Sequence, residues 1–276
     1  MKKIAVYLAS IISKILSRSY YITQLARDIV RRYDNDCNAD IKTNGEKALI
    51  QRIVKLTDID SVIVDVGANV GDYSSLIVKE GYRGKLFIVD PLEKNIKQIK
   101  EMLQNVSNLI FCQFALSDDV KKAKLFVNED QVLSGHDSLF DMRAIGYSDK
   151  VSSRYVDVTT LDKLMADYEI GKIDFVKIDV EGNEYAVLKG CNTLLSSGSI
   201  DFIQIEFGHA ARAARVYLYD IVNFMRSLSY ELYVIKPGGL MRLDSNPFME
   251  NRYSYINILL VKKGEINRLE MKIYSR

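Results

Sequence analysis

The chain has 276 residues, 48% hydrophobic and 27% charged, as expected of a soluble globular protein with one large domain. The formal net charge is +2 and the two signs are interspersed, so nothing draws the chain to nucleic acid. Cys37, Cys112 and Cys191 are odd in number, far apart and without a CxxC pair, which argues against a disulfide framework or zinc ribbon and for a reducing, cytoplasmic setting.

The N-terminus opens on Lys2 and Lys3 followed by an apolar run, as a secretory leader would, but Lys14 interrupts the run early and no small-x-small cleavage site follows. The run also falls short of the roughly 18 apolar residues that a membrane span needs. Ile4, Leu8, Ile11, Ile12 and Ile15 repeat at helical spacing, which predicts an amphipathic helix. Its stripe suits packing on the domain, a homo-oligomer contact, or a peripheral contact with the inner face of a membrane. Residues 33–43 are polar and turn-rich and mark a linker, so the chain divides into an N-terminal helical extension, 1–40, and a main domain, 41–276.

From residue 45 the pattern alternates. It predicts helix 45–56, strand 61–66, helix 72–80, strand 85–90, helix 92–104 and strand 109–114. Regularity pauses over 115–159, where KKAKLFVNE and SRYVDVTT read as extra strands around a polar loop. It resumes with helix 160–168, strand 173–178, helix 183–195, strand 200–206, helix 211–228 and strands 230–235 and 254–261. The strands are apolar runs without polar alternation, as in parallel sheets buried on both faces. The expected fold is α/β, a doubly wound, Rossmann-like sheet with helices on both faces. The last two strands are joined by a Gly/Pro loop with no helix, so they pair antiparallel and reverse one strand. The charged tail, 262–276, is expected to fray.

Five motifs carry chemistry. The first, DVGANVG, spans Asp65 to Gly71 and has the spacing D-x-G-x-N-x-G instead of the dinucleotide pattern G-x-G-x-x-G. It has the shape of an S-adenosylmethionine loop with Asn69 at a glycine position, a mild change because Asn tolerates left-handed backbone. The second is Asp90, closing FIVDP, placed to accept ribose hydroxyls or to cap the following helix. The third, Leu116, Ser117 and Asp118, ends a strand where an adenine would lie, although Ser-Asp-Asp is also a natural turn. The fourth, KIDVEG, puts Asp179 and Glu181 at the carboxyl end of a strand, the edge where open α/β sheets bind ligands. The fifth, QIEFGH, brings Glu206 and His209 toward the same edge. Asp179, Glu181, Glu206, His136 and His209 form the pool for a catalytic base. The acids are also oxygen ligands, which leaves a divalent metal open as a cofactor.

In this order DVGANVGDYS, FIVDP, FALSD, TTLDKL, FVKIDVEGNEYAVLKG and IQIEF resemble the FkbM family of S-adenosylmethionine-dependent methyltransferases, over roughly residues 45–261. The resemblance implies a class I methyltransferase fold, a seven-stranded sheet with the last strand antiparallel. It implies S-adenosyl-L-methionine as cofactor and methyl transfer to a hydroxyl of a sugar, glycan or secondary metabolite. It places Asp65, Gly67, Ala68, Asn69 and Gly71 in the cofactor loop, Asp90 on the ribose, and Leu116, Ser117 and Asp118 by the adenine. Asp179, Glu181 and Glu206 would line the reaction centre, and the region from Gly135 to Leu139 would serve acceptor binding or a lid. The competing readings are a non-catalytic membrane-surface or assembly module built on the same fold, and a nicotinamide-dependent oxidoreductase.

Overall fold

The computed structural model describes residues 2–129, 137–146, 150–243 and 255–274. Two helices, α1 (Lys2–Leu16) and α2 (Tyr20–Asp34), precede the main domain. The domain then runs α3 (Glu46–Leu56), β1 (Val62–Val66), α4 (Asp72–Lys79), β2 (Lys85–Val89), α5 (Glu93–Met102) and β3 (Leu109–Cys112). β4 (Ala115–Leu116), β5 (Lys121–Asn128) and β6 (Val151–Thr159) follow, then α6 (Leu161–Asp167), β7 (Ile173–Ile178), α7 (Glu184–Lys189) and α8 (Asn192–Ser196). The chain continues as β8 (Ile200–Phe207), α9 (Ala210–Ala214), α10 (Leu218–Ser227), β9 (Tyr230–Lys236), β10 (Gly239–Arg242), β11 (Ile256–Lys262) and β12 (Ile273–Tyr274).

The main sheet has the order β12-β10-β9-β11-β8-β7-β1-β2-β3. β3, β2, β1, β7 and β8 are mutually parallel, and β11 lies antiparallel between β8 and β9, so the expected reversal is present. The expected count of seven strands becomes nine. The Gly/Pro loop turns back as β10 against β9, and the tail, expected to fray, adds β12 and buries Leu269. The irregular region forms a separate sheet, β4-β6-β5.

Alternation along each strand divides the core in two. Val62, Val64 and Val66 of β1 face one side with Val176, Ile203 and Leu260, under α6, α7, α8 and α10. Ile63 faces the other with Leu86, Phe175 and Leu259, under α3, α4 and α5. Two predicted helices are each broken. Residues 183–195 form α7 and α8, and Gly190 between them passes so close to the Ser117 carbonyl that a Cβ there would sit 2.0 Å from its oxygen. Residues 211–228 form α9 and α10, separated at Arg215, whose φ is +57°. Residues 33–43 are tied down. Asn35 is buried and its amide donates to the carbonyls of Asn44 and Ile235, at 2.7 and 3.1 Å.

Candidate active site

The strand order reverses direction of travel between β1 and β7, and their carboxyl ends lie side by side. That crevice is where an open α/β sheet receives its ligand. After β1 the chain turns through Gly67, Ala68, Asn69 and Gly71. Gly67 and Gly71 have φ of +80° and +89°, and Asn69 takes +49°, the left-handed conformation that its amide side chain tolerates. The two glycines are required by the protein's own packing. A Cβ on Gly67 would lie 1.8 Å from the carbonyl oxygen of Asp179, and one on Gly71 would lie 2.7 Å from Ile99 of α5. The loop is thereby clamped against the end of β7, which draws the first and fourth motifs together.

Asp90 leaves the end of β2 buried. Its Oδ2 accepts from the Asn69 N–H at 2.9 Å, and its Oδ1 accepts from the Leu92 N–H at 2.8 Å and the Asn95 amide at 3.0 Å. The helix-start and ligand roles foreseen for it coexist, because Oδ2 with one donor keeps a lone pair toward the cavity. Burial, only partly offset by these donors, pushes its pKa up to about 6. Asp65 sits beneath the loop, accepts from Ser74 Oγ at 2.6 Å, and is likewise pushed up to about 6 by burial.

A cavity opens over this junction. Leu92, Phe114, Leu116, Leu125 and Leu139 give it apolar walls, and Asp90, Asp137, Asp179 and Glu181 give it carboxylates. No Lys or Arg lines it among the described residues. Leu116 is where the sequence put it. Ser117 and Asp118 are not part of the lining: Ser117 packs its carbonyl on Gly190, and Asp118 pairs with Lys189 at 2.6 Å. Their turn anchors α7.

Asp179, Glu181 and Glu206 come together at the far side, with one carboxylate oxygen from each within 4.8 Å of the others. Glu181 borders the apolar cavity and two neighbouring ones, so all three spaces meet at its side chain. Its φ is +52°, a strained value for a residue with a Cβ. Ser138 Oγ holds it there by donating to its carbonyl at 2.6 Å, and Glu184 accepts from the N–H groups of Val180 and Gly182 on either side. Burial, and then the neighbouring Asp179 charge, raises both Glu181 and Glu206 well above the usual carboxylate range. Buried Lys177 donates to Asp179 at 3.1 Å and lies 3.9 Å from Glu46. Burial alone would lower its pKa; Asp179, Glu46 and Glu206 together reverse that and keep it charged. His209 is exposed and borders the second space beside Glu206. His136 lies outside the described residues.

The Methyltransferase FkbM domain profile matches residues 65–232, more than half of the chain. The chain belongs to the FkbM methyltransferase family. Hexuronic acid methyltransferase AglP of Haloferax volcanii is 25% identical over 170 residues, 59% of this chain and 64% of that protein, so the match spans under two thirds of the relative. Among solved structures, an rRNA methylase from Streptococcus thermophilus has 11% identity and a TM-score of 0.42, covering 77% of this chain and 93% of the other. SMU.1697c from Streptococcus mutans, solved in complex with SAH, has 9% identity and a TM-score of 0.41, covering 79% and 95%.

Several site residues of this FkbM methyltransferase escaped the sequence reading. Phe114 stands in an irregular segment, whereas Asp137 falls in the 135–139 stretch expected to serve acceptor binding or a lid and borders the first cavity instead. Glu46 comes from α3 and Tyr255 from the residue just before β11, and both border the space shared by Asp65, Lys177 and Glu206. No local spacing announces them; only the pairing of β11 with β8 brings Tyr255 beside Glu206. Glu184 did carry a signal, as the third acid of KIDVEGNE.

Proposed function

We propose that this chain transfers a methyl group from S-adenosylmethionine to a hydroxyl of a neutral sugar or similar polyol acceptor. The observation that carries the reading is the lining of the apolar cavity, with four carboxylates and no described Lys or Arg. S-adenosylmethionine carries positive charge on its sulfonium and ammonium, which such a lining attracts. A dinucleotide pyrophosphate would be repelled, and this counts against an oxidoreductase. Asp90 would hold the ribose, the backbone of Gly67–Asn69 the methionine portion, and Leu92, Phe114, Leu116 and Leu125 the adenine. The bound cofactor would supply an already activated methyl group, so the protein's work is alignment and proton removal.

Glu206 and Glu181 are the groups read here as proton acceptors. Burial makes each a stronger base once ionised, and Glu206 opens toward the two spaces beyond the cofactor cavity. Lys177 supplies the positive charge that lets three carboxylates share one corner, and that is why we read the cluster as proton-handling in place of metal-binding. Among the described residues this side holds Glu46, Asp65, Asp72, Asp179, Glu181 and Glu206 with Lys177 as the one cationic side chain, a lining that suits an uncharged acceptor better than an anionic one. In this the chain would differ from a relative named for hexuronic acid.

The test is to incubate the protein with methyl-labelled S-adenosylmethionine and matched neutral and uronic sugars, free and as glycosides. The reading expects label on a hydroxyl of a neutral sugar, undiminished after dialysis against a chelator. Cofactor binding without transfer to any hydroxyl, or transfer confined to uronic acids, would overturn it.

A further inference from the structure

We propose that α1 and α2 form a foot that lies on an anionic membrane surface and holds the acceptor side of the site against it. No residue of α2 is buried. Ile22, Leu25, Ile29, Val30 and Tyr33 recur on one face at helical spacing and are 39 to 60% exposed. On α1, Ile11, Ile12 and Ile15 are 40 to 64% exposed. More than half of the exposed large apolar side chains among the described residues lie in these two helices and the turn between them. The turn is built to hold its shape, since Ser19 accepts from the Ile22 N–H and Thr23 Oγ1 donates back to the Ser19 carbonyl at 2.9 Å.

Charge selects the occupant. Residues 2–34 contain seven Lys or Arg and two Asp, a net of +5, whereas the whole chain carries +2 and the remainder is therefore net negative. An apolar face with this excess of basic residues matches the boundary of an anionic bilayer, where basic side chains reach headgroups and the apolar face sinks among acyl chains. A second copy would bring +5 against +5, which disfavours self-association through the same face. No helix among the described residues is long and apolar enough to span a membrane, so the contact is interfacial.

Placement gives the foot a purpose. Lys236 Nζ lies 4.0 Å from the ring centre of Tyr33, and the buried Asn35 fixes the end of α2 to the edge of β9. The Cys37 N–H then donates to the Tyr255 carbonyl at 2.9 Å, and Cys37 and Ala39 border the space that holds Glu206 and His209. The helices are thus tethered at the rim of the acceptor side. Resting on the methyl-transfer reading above, this assigns an acceptor whose hydroxyl is presented at a bilayer surface, a sugar carried on a lipid.

The test uses the full chain and vesicles of phosphatidylcholine, alone or mixed with phosphatidylglycerol. Sedimentation should show binding to the mixed vesicles, weakened by salt, and little to phosphatidylcholine alone. The double variant Leu25→Glu, Ile29→Glu alters only exposed positions and should lose at least about tenfold in vesicle affinity, with S-adenosylhomocysteine affinity unchanged by calorimetry. The same variant should lose the rate advantage of a lipid-carried sugar over the free sugar. No partition into anionic vesicles, partition that the variant leaves intact, or a wild-type dimer that the variant dissolves would each overturn the proposal. Because cofactor binding is read separately, failure of the foot is distinguishable from failure of the methyltransferase reading.

Discussion

At the scale of single residues, Asp90 and Glu206 carry the most chemistry. Asp90 holds the Asn69 loop and the start of α5 while keeping acceptor capacity for a ligand. Asp90→Ala should weaken S-adenosylhomocysteine binding by about 1–3 kcal/mol in calorimetry, with Asp90→Asn in between because it keeps the shape and loses the charge. Unchanged affinity in Asp90→Ala would remove the residue from the site. Glu206 gives a sign-specific expectation. Burial, and then the Asp179 charge, raises its native pKa, so it keeps its proton to higher pH than an ordinary carboxylate and becomes free to accept another only above that. The methyl-transfer rate should therefore climb with pH well above the ordinary carboxylate range. Glu206→Gln should abolish that limb and lower the rate by about 10²–10⁴-fold. A variant with the wild-type pH profile would shift the role to Glu181. Asp65, Asp90, Asp179 and Glu181 stood out in the sequence because each lies in a motif at or just beyond the carboxyl end of a strand. Ser117 and Asp118 read ambiguously because a polar turn looks the same whether it meets a ligand or, as Asp118 does, a neighbouring lysine.

At the scale of elements, the strands were legible and the helix interruptions were not. Buried parallel strands announce themselves as uninterrupted apolar runs, and β1, β2, β7 and β8 fall within a residue or so of their expected bounds. The break between α7 and α8 lies at a backbone approach between residues more than seventy positions apart, which local periodicity cannot register. The glycines of the Asp65 loop teach the same lesson. They look ligand-driven in sequence, yet the atoms that a Cβ would strike belong to Asp179 and α5. A prediction belongs to the new helix start this break creates. Asp162 of α6 accepts from the N–H groups of Thr193 and Leu194, at 2.8 and 3.0 Å, and so caps α8 from outside. Asp162→Ala should cost about 1–2 kcal/mol in urea denaturation with an unchanged m-value. No loss would mean that solvent caps α8 equally well.

At the scale of the whole molecule, one sheet sorts three tasks along a single edge. Under the proposed function, the ends of β1 and β2 build the cofactor side, the end of β7 carries the junction at Glu181, and the ends of β8 and β11 build the acceptor side beside Cys37 and Ala39. The fold class followed from strand–helix alternation. The acceptor side did not, because it is assembled from α3, β11 and the segment after α2, far apart in the chain and without a shared motif. The central claim is that the apolar, carboxylate-lined cavity is built for a cationic methyl donor. Isothermal titration of the full chain with S-adenosylmethionine, and in parallel with NAD⁺, tests it most directly. The account predicts one saturable site for S-adenosylmethionine, weakened by Asp90→Ala, and no heat of binding for NAD⁺. Saturable NAD⁺ binding that Asp90→Ala abolishes, with none for S-adenosylmethionine, would contradict it.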